Sequence, residues 1–257
     1  MIIFCAQVED PLRLYLDPSR HSNEYMWHFR SNFTLRNIWS PFLVSHTVEE
    51  GDMFKIYLDK PDMAWARHLE EYDIAVVSTG YWYTKKSLYH VNNAVLGANP
   101  QAQLNVTTIH MVPAIKIALE NVLKHLAREY NGIVMLRTVT VDHFKDGEWW
   151  DGGSCKGSKP FSRQEGDFIQ QIPWLNREIH KVQVEEFEEA MAYYVNNTAR
   201  LRLLNVTYSA FLRRDGHPGL HWFNAKDHIN DCLHWCLPGP IDLWNQFVLD
   251  SMITAGL

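Results

Sequence analysis

Short apolar runs alternate with amphipathic helical patterns along this 257-residue chain, and that alternation limits the fold more than any other feature. "YDIAVVSTG" (72–80) and "GIVMLRTVTV" (132–141) are rich in β-branched residues and bounded by turn residues, as strands buried on both faces are. "HMVPAIKIALENVLKHLAREY" (110–130) and "NREIHKVQVEEFEEAMAYYV" (176–195) repeat apolar residues at helical spacing, and Pro113 sits in a first turn that tolerates it. "FTLRNIWSPFLV" (33–44), "MFKIYLD" (53–59) and "ARLRLLNVTYSAFL" (199–212) predict further strands, and "IDLWNQFVLDSMI" (241–253) predicts a closing helix. No internal repeat or low-complexity linker interrupts the pattern. The expectation is a single α/β domain over residues 1–257, a mainly parallel sheet flanked by helices.

Such sheets bind ligands at the carboxyl ends of their strands. Four loops start there: the turn at 78–80, the long segment 142–161, "RRDGHPG" at 213–219, and "DCLHWCLPGPIDLWNQ" at 231–246. Composition narrows what they bind. The net charge is -6 with no basic run, so phosphate neutralisation has no footing and nucleic acid is not an expected partner. No phosphate-loop or G-x-G-x-x-G pattern is present, so no nucleotide cofactor is expected. Ten Trp, eleven Tyr and twelve Phe fit a large core and also a groove that stacks on sugar rings. No run reaches the ~18 apolar residues of a membrane span. The start, "MIIFCAQVEDPLRLYLD", lacks the basic and small-residue flanks of a signal peptide. Four N-x-S/T sequons, at Asn32, Asn105, Asn196 and Asn205, are glycosylation candidates. The four cysteines are Cys5, Cys155, Cys232 and Cys236, a number compatible with two disulfides.

Asp231-Cys232-Leu233-His234 carries the most chemistry. Nucleophilic hydrolase chemistry needs a Ser or Cys, an imidazole to take its proton and a carboxylate to orient that imidazole. On one helical turn Asp231 would accept the Nδ1 proton of His234 and leave Nε2 as the base. The crowding of His228, Cys232, His234 and Cys236 also raises a zinc site, although a second, distant ligand pair is missing. A surface turn with a satisfied histidine is the third reading, and the four residues alone do not choose among them.

The longer segment does. "DCLHWCLPGPIDLWNQ" closely resembles the D-C-x-H-W-C-L-P-G-x-x-D-x-W-N signature of the plant trichome-birefringence-like family of polysaccharide O-acetyltransferases, whose PC-esterase domain is SGNH/GDSL-hydrolase-like. "WSPFLV" (39–44), "LDK" followed by Trp65, "STGYW" (78–82), "LRTVTVDHFKDGEWWDGGSCKGSKPF" (136–161) and "RRDGHPG" resemble the family in the same order. The resemblance thus covers nearly the whole chain.

It implies a Ser-His-Asp triad in which Asp231 orients His234, the general base. It implies a Cys155–Cys232 disulfide that leaves Cys5 and Cys236 without partners. The family's nucleophile is the Ser of a G-D-S motif, and this sequence has none: Gly51-Asp52 runs into Met53 and Gly166-Asp167 into Phe168. In the family that motif leads into a helix whose Cys precedes a "VEDP"-like stretch. Cys5 stands directly before "VEDP" here, which places the Ser upstream of Met1. The domain is therefore expected to be incomplete at its N-terminal edge. The missing part would carry the Ser, the membrane anchor of a Golgi-lumenal type II protein, and the partners of Cys5 and Cys236. Many relatives read Gly-His-Trp where this chain has Gly80-Tyr81-Trp82, so Gly80 and Trp82 are candidates for an oxyanion or substrate loop. The implied function is acetyl transfer from a donor to a hydroxyl of xylan, xyloglucan, mannan or pectin, with the chain as given inactive for want of its Ser. An acetylesterase of the same fold and an inactive glycan-binding fragment are the alternatives.

Overall fold

The computed structural model of the chain describes residues 12–16, 25–147, 151–156, 158–162, 170–194, 200–221 and 230–256. In chain order its strands and helices begin with β1 (Leu12–Leu16), β2 (Tyr25–Phe29), β3 (Phe33–Asn37), β4 (Val44–Glu49), β5 (Met53–Pro61) and the short α1 (Met63–Ala66). Then come β6 (Ile74–Val77), β7 (Ser87–Val91), β8 (Ala94–Ala98) and α2 (Met111–Glu129). The last are β9 (Ile133–Arg137), α3 (Trp174–Ala190), β10 (Leu201–Leu204), α4 (Thr207–Leu212) and α5 (Pro240–Thr254).

The strands form three sheets. The central one, in the order β10-β9-β6, is wholly parallel. β1, β2 and β3 make an antiparallel meander. The third runs β4-β5-β7-β8; only its β5–β7 pairing is parallel. The expected mainly parallel architecture therefore describes the central sheet alone. Hairpins account for the difference. Between β4 and β5, Gly51 and Asp52 both take left-handed backbone angles, at φ 73° and 57°. Between β7 and β8, Asn92 and Asn93 do the same, at φ 53° and 62°. Two successive left-handed residues twist a turn the way paired strands twist, and Asn tolerates the conformation at little cost.

The central sheet is covered on both faces because side chains alternate along a strand. Val134 and Leu136 join one buried cluster with Ala118, Leu119 and Val122 of α2 and Ile179 and Val182 of α3. Met135, between them, points the other way and packs with Leu204 and Val248 of α5. α2 earns its place by pattern: Ala114, Ile115, Ala118, Leu119, Val122, Leu123 and Leu126 are all buried at helical spacing. That stripe also meets Ile56, Leu58, Tyr83 and Tyr89, so one helix ties the parallel sheet to the mixed one.

One predicted strand is shortened. The 199–212 run is extended only over Leu201–Leu204 and then becomes α4. The cause is Thr138, whose hydroxyl accepts from the backbone N–H of Val206 at 3.0 Å and of Thr207 at 3.3 Å. Those amides are thereby drawn from the ladder into a turn.

Candidate active site

The site is built at the carboxyl ends of β6, β9 and β10, where the chain leaves the central sheet. After β6, the turn through Thr79 and Gly80 is held from α3: the buried Gln183 donates to Thr79 O at 2.9 Å and accepts from Val139 N at 2.7 Å. Gly80 is buried and extended, with φ 169°, and a Cβ there would meet Val139 at 3.5 Å and Ile179 at 4.0 Å, ordinary contact distances. The backbone thus does not demand glycine. Trp82 is exposed and meets Trp39 edge-on at 5.3 Å. Tyr81 points inward. Its hydroxyl donates to Asp142 Oδ2 at 2.8 Å and receives Asn176 Nδ2. Burial, with the neighbouring Asp142 charge, pushes the Tyr81 phenol well above its ordinary value. Burial also raises the Asp142 carboxyl, against the pull of the Tyr81 hydrogen bond.

After β9 the chain runs through Asp142 to His143, whose N–H donates to Cys232 O at 3.0 Å. Cys155 and Cys232 form a disulfide with Cα atoms 5.8 Å apart, joining the long 142–161 segment to the turn that carries Asp231. Asp231 and Gly219 exchange backbone hydrogen bonds of 2.9 Å each, which fixes that turn against the 213–219 loop.

Asp231 then organises its own sequel. Oδ1 accepts from the N–H of Leu233 at 3.1 Å and of His234 at 2.9 Å, and Oδ2 accepts from His234 Nδ1 at 2.9 Å. The D-x-x-H pair meets as expected, but not on a helical turn: residues 231–236 form a side-chain-capped bend. Burial works to raise the Asp231 carboxyl. The His234 ring and the two backbone N–H groups outweigh it and hold it below the usual carboxylate value. A carboxylate on Nδ1 fixes the proton there and leaves Nε2 as the basic nitrogen. The His234 side chain is 65% exposed, against 9% for Asp231, so the imidazole opens outward from a buried anchor.

The sequence reading did not single out Tyr81, Asp142, His143, Asn176, Gln183 or His217, all of which tie these turns together. Their partners lie far off in sequence, His143 and His217 being 74 residues apart. The zinc reading loses Cys232 to the disulfide, and His228 lies outside the described residues. Among the described residues no group of three or more His, Cys, Asp or Glu is placed to hold a metal, and no helix is long and apolar enough to cross a membrane. Cys236 is a free thiol, half-buried; Cys5 lies outside the described residues. Asn32, Asn105 and Asn205 are exposed, while Asn196 falls outside them.

Residues 3–251 match the PC-Esterase family, described as a GDSL/SGNH-like acyl-esterase family found in Pmr5 and Cas1p. The chain belongs to this family. Among its relatives, Protein trichome birefringence-like 24 of Arabidopsis thaliana is 34% identical, covering 99% of this chain and 62% of its own length. Xyloglucan O-acetyltransferase 4 of Populus trichocarpa is 36% identical, covering 97% of this chain and 60% of its own length. Xyloglucan O-acetyltransferase 3 of the same species is 32% identical over 97% of this chain. The chain thus spans roughly three-fifths of these PC-esterase proteins, 60% to 64% across the three.

Proposed function

We propose that this PC-esterase chain supplies the acid–base half of an acetyltransferase acting on a hydroxyl of a plant cell-wall polysaccharide. The observation that carries the reading is the Asp231–His234 hydrogen bond of 2.9 Å, which holds the imidazole with Nε2 outward. The nucleophile in this reading is a serine hydroxyl from a G-D-S segment outside the 257 residues, which contain no such motif. Nε2 takes the serine proton as Oγ bonds to the acetyl carbonyl carbon, and the donor's leaving group departs with that proton. A sugar hydroxyl then gives its proton to Nε2 and attacks the acetyl-enzyme. Serine leaves, recovers the proton, and the acetyl group ends on the sugar. Asp231 stays ionised throughout and stabilises the imidazolium that forms in each half. The exposed Trp39 and Trp82 rings offer flat faces of the kind that stack on sugars, and we assign them, with the Gly80 turn, to the acceptor side. The disulfide suits an oxidising compartment, and we place the protein in the Golgi lumen.

The open setting of His234 favours one competing reading, in which water replaces the sugar and the same pair runs an acetylesterase. The test compares the 257-residue chain with a chain extended upstream through the G-D-S serine. Each is given an acetyl donor with and without a xyloglucan, xylan, mannan or pectin acceptor. The short chain is expected to turn over at background, and the extended one to acetylate an acceptor until its serine or His234 is changed to Ala. Free acetate in place of acetylated glycan would establish the esterase. A folded extended chain that is inert on every donor and glycan would sink both readings and leave a binding module.

A further inference from the structure

His143 and His217 take no part in the reaction above, yet both are buried and their rings meet, Nδ1 of His143 to Nε2 of His217, at 2.7 Å. The outer nitrogen of each ring faces a backbone carbonyl. His143 Nε2 lies 2.9 Å from Phe211 O, and His217 Nδ1 lies 2.7 Å from the carbonyl oxygen of His234 itself. A carbonyl oxygen only accepts, so each outer nitrogen carries a proton. Two neutral imidazoles hold one ring proton each. With both used outward, two bare lone pairs would confront each other at 2.7 Å. A third proton, between the rings, satisfies all three contacts. We infer that His143 and His217 share that proton, carry one positive charge between them, and are the positioning residues that fix the backbone of His234.

The surroundings bear on both sides of this. Trp235 lies over the His217 ring at 4.1 Å between centroids, and Phe211 stacks on His143 at 5.8 Å, aromatic faces that favour a cation. The charges of Asp215 and Asp231 favour the protonated pair; those of Arg214 and His234 oppose it, and Asp215 is itself paired with Arg213. Asp142, next in the chain, is engaged by Tyr81. Burial is the largest opposing effect and pushes both imidazoles downward. Against it stand the three contacts together: a neutral pair keeps the ring-to-ring hydrogen bond only by giving up one carbonyl contact in a buried place. The three short contacts are all made with one proton count only. The charge has a use in the acetyltransferase reading, on which its role rests. It strengthens the hydrogen bond that His217 Nδ1 donates to the His234 carbonyl, and so fixes the backbone that carries the imidazole.

The test is nitrogen NMR of the histidine-labelled 257-residue chain near pH 7, with the two rings assigned from His143→Gln and His217→Gln variants. Three ring protons on the two residues are expected, one of them coupled to a nitrogen of each ring. Two neutral rings, with one proton each, would overturn the inference whatever the enzyme does. In the extended, active chain His217→Gln is expected to lower kcat by on the order of 10²-fold with KM little changed, as a slightly displaced base does. It is also expected to remove the alkaline limb set by the pair. A folded His217→Gln enzyme with unchanged kcat and pH profile would overturn the positioning role. An inert extended chain that still shows the three-proton pair would overturn the transferase reading alone.

Discussion

Asp231 accepts three hydrogen bonds from the next three residues, two backbone amides on one oxygen and the His234 ring on the other. An amide in its place presents a donor where the imidazole also donates, and the ring turns to the wrong tautomer. Asp231→Asn in an active extended chain is therefore expected to keep the fold and lower kcat by about 10⁴-fold, read as acetyl transfer against wild type. The same substitution tests linkage. The Asp231 carboxyl is held below its ordinary value, so it contributes stability above that value and loses it as pH falls through the lower, folded one. Wild type should lose an increment of denaturation midpoint below pH ~4 that Asp231→Asn does not lose. Equal acid slopes would show that the hydrogen bonds do not favour the ionised form. At this scale the sequence disclosed Asp231 and His234 because they sit three residues apart. It concealed Tyr81 and Asp142, 61 residues apart, since no local pattern records a meeting made by the fold.

The turns bearing the site are joined less by helices and strands than by cross-links between them. Gln183 holds the β6 and β9 exits together, and the disulfide holds the 142–161 segment to the Asp231 turn. Replacing Cys155 and Cys232 together by Ser releases a loop of 77 residues in the unfolded chain, expected to cost about 4 kcal/mol in the chain-entropy treatment. Urea unfolding of oxidised wild type against the double variant measures it, and equal midpoints would mean that native strain offsets the whole effect. The long helices and the central strands were legible because their periodicity is strong. β4, β7 and β8 were not. Each is short, and the hairpin signals between them, Gly51-Asp52 and Asn92-Asn93, show only once the two left-handed residues are known to be consecutive.

Across the molecule, α2 is the member shared by the parallel and the mixed sheets. Leu119 is fully buried in the cluster that contains residues of both. Leu119→Ala is expected to cost 2–5 kcal/mol, about what a buried leucine loses with its cavity, and to shift one common unfolding transition. Separate transitions, one insensitive to the substitution, would show that the sheets unfold independently. The alternation of strand-like and helical runs made the α/β character legible from sequence; how the sheets share a core was not, because it depends on which face of each strand meets α2. Cys232 is fully buried and Cys155 nearly so. A dissolved thiol cannot reach either sulfur while the segment around Cys155 lies on the Asp231 turn. Reduction must wait for that segment to lift. At high reductant concentration the loss of the disulfide stops following the reagent and runs at the lifting rate, so the bond serves as a clock for how often the folded molecule breathes beside His234.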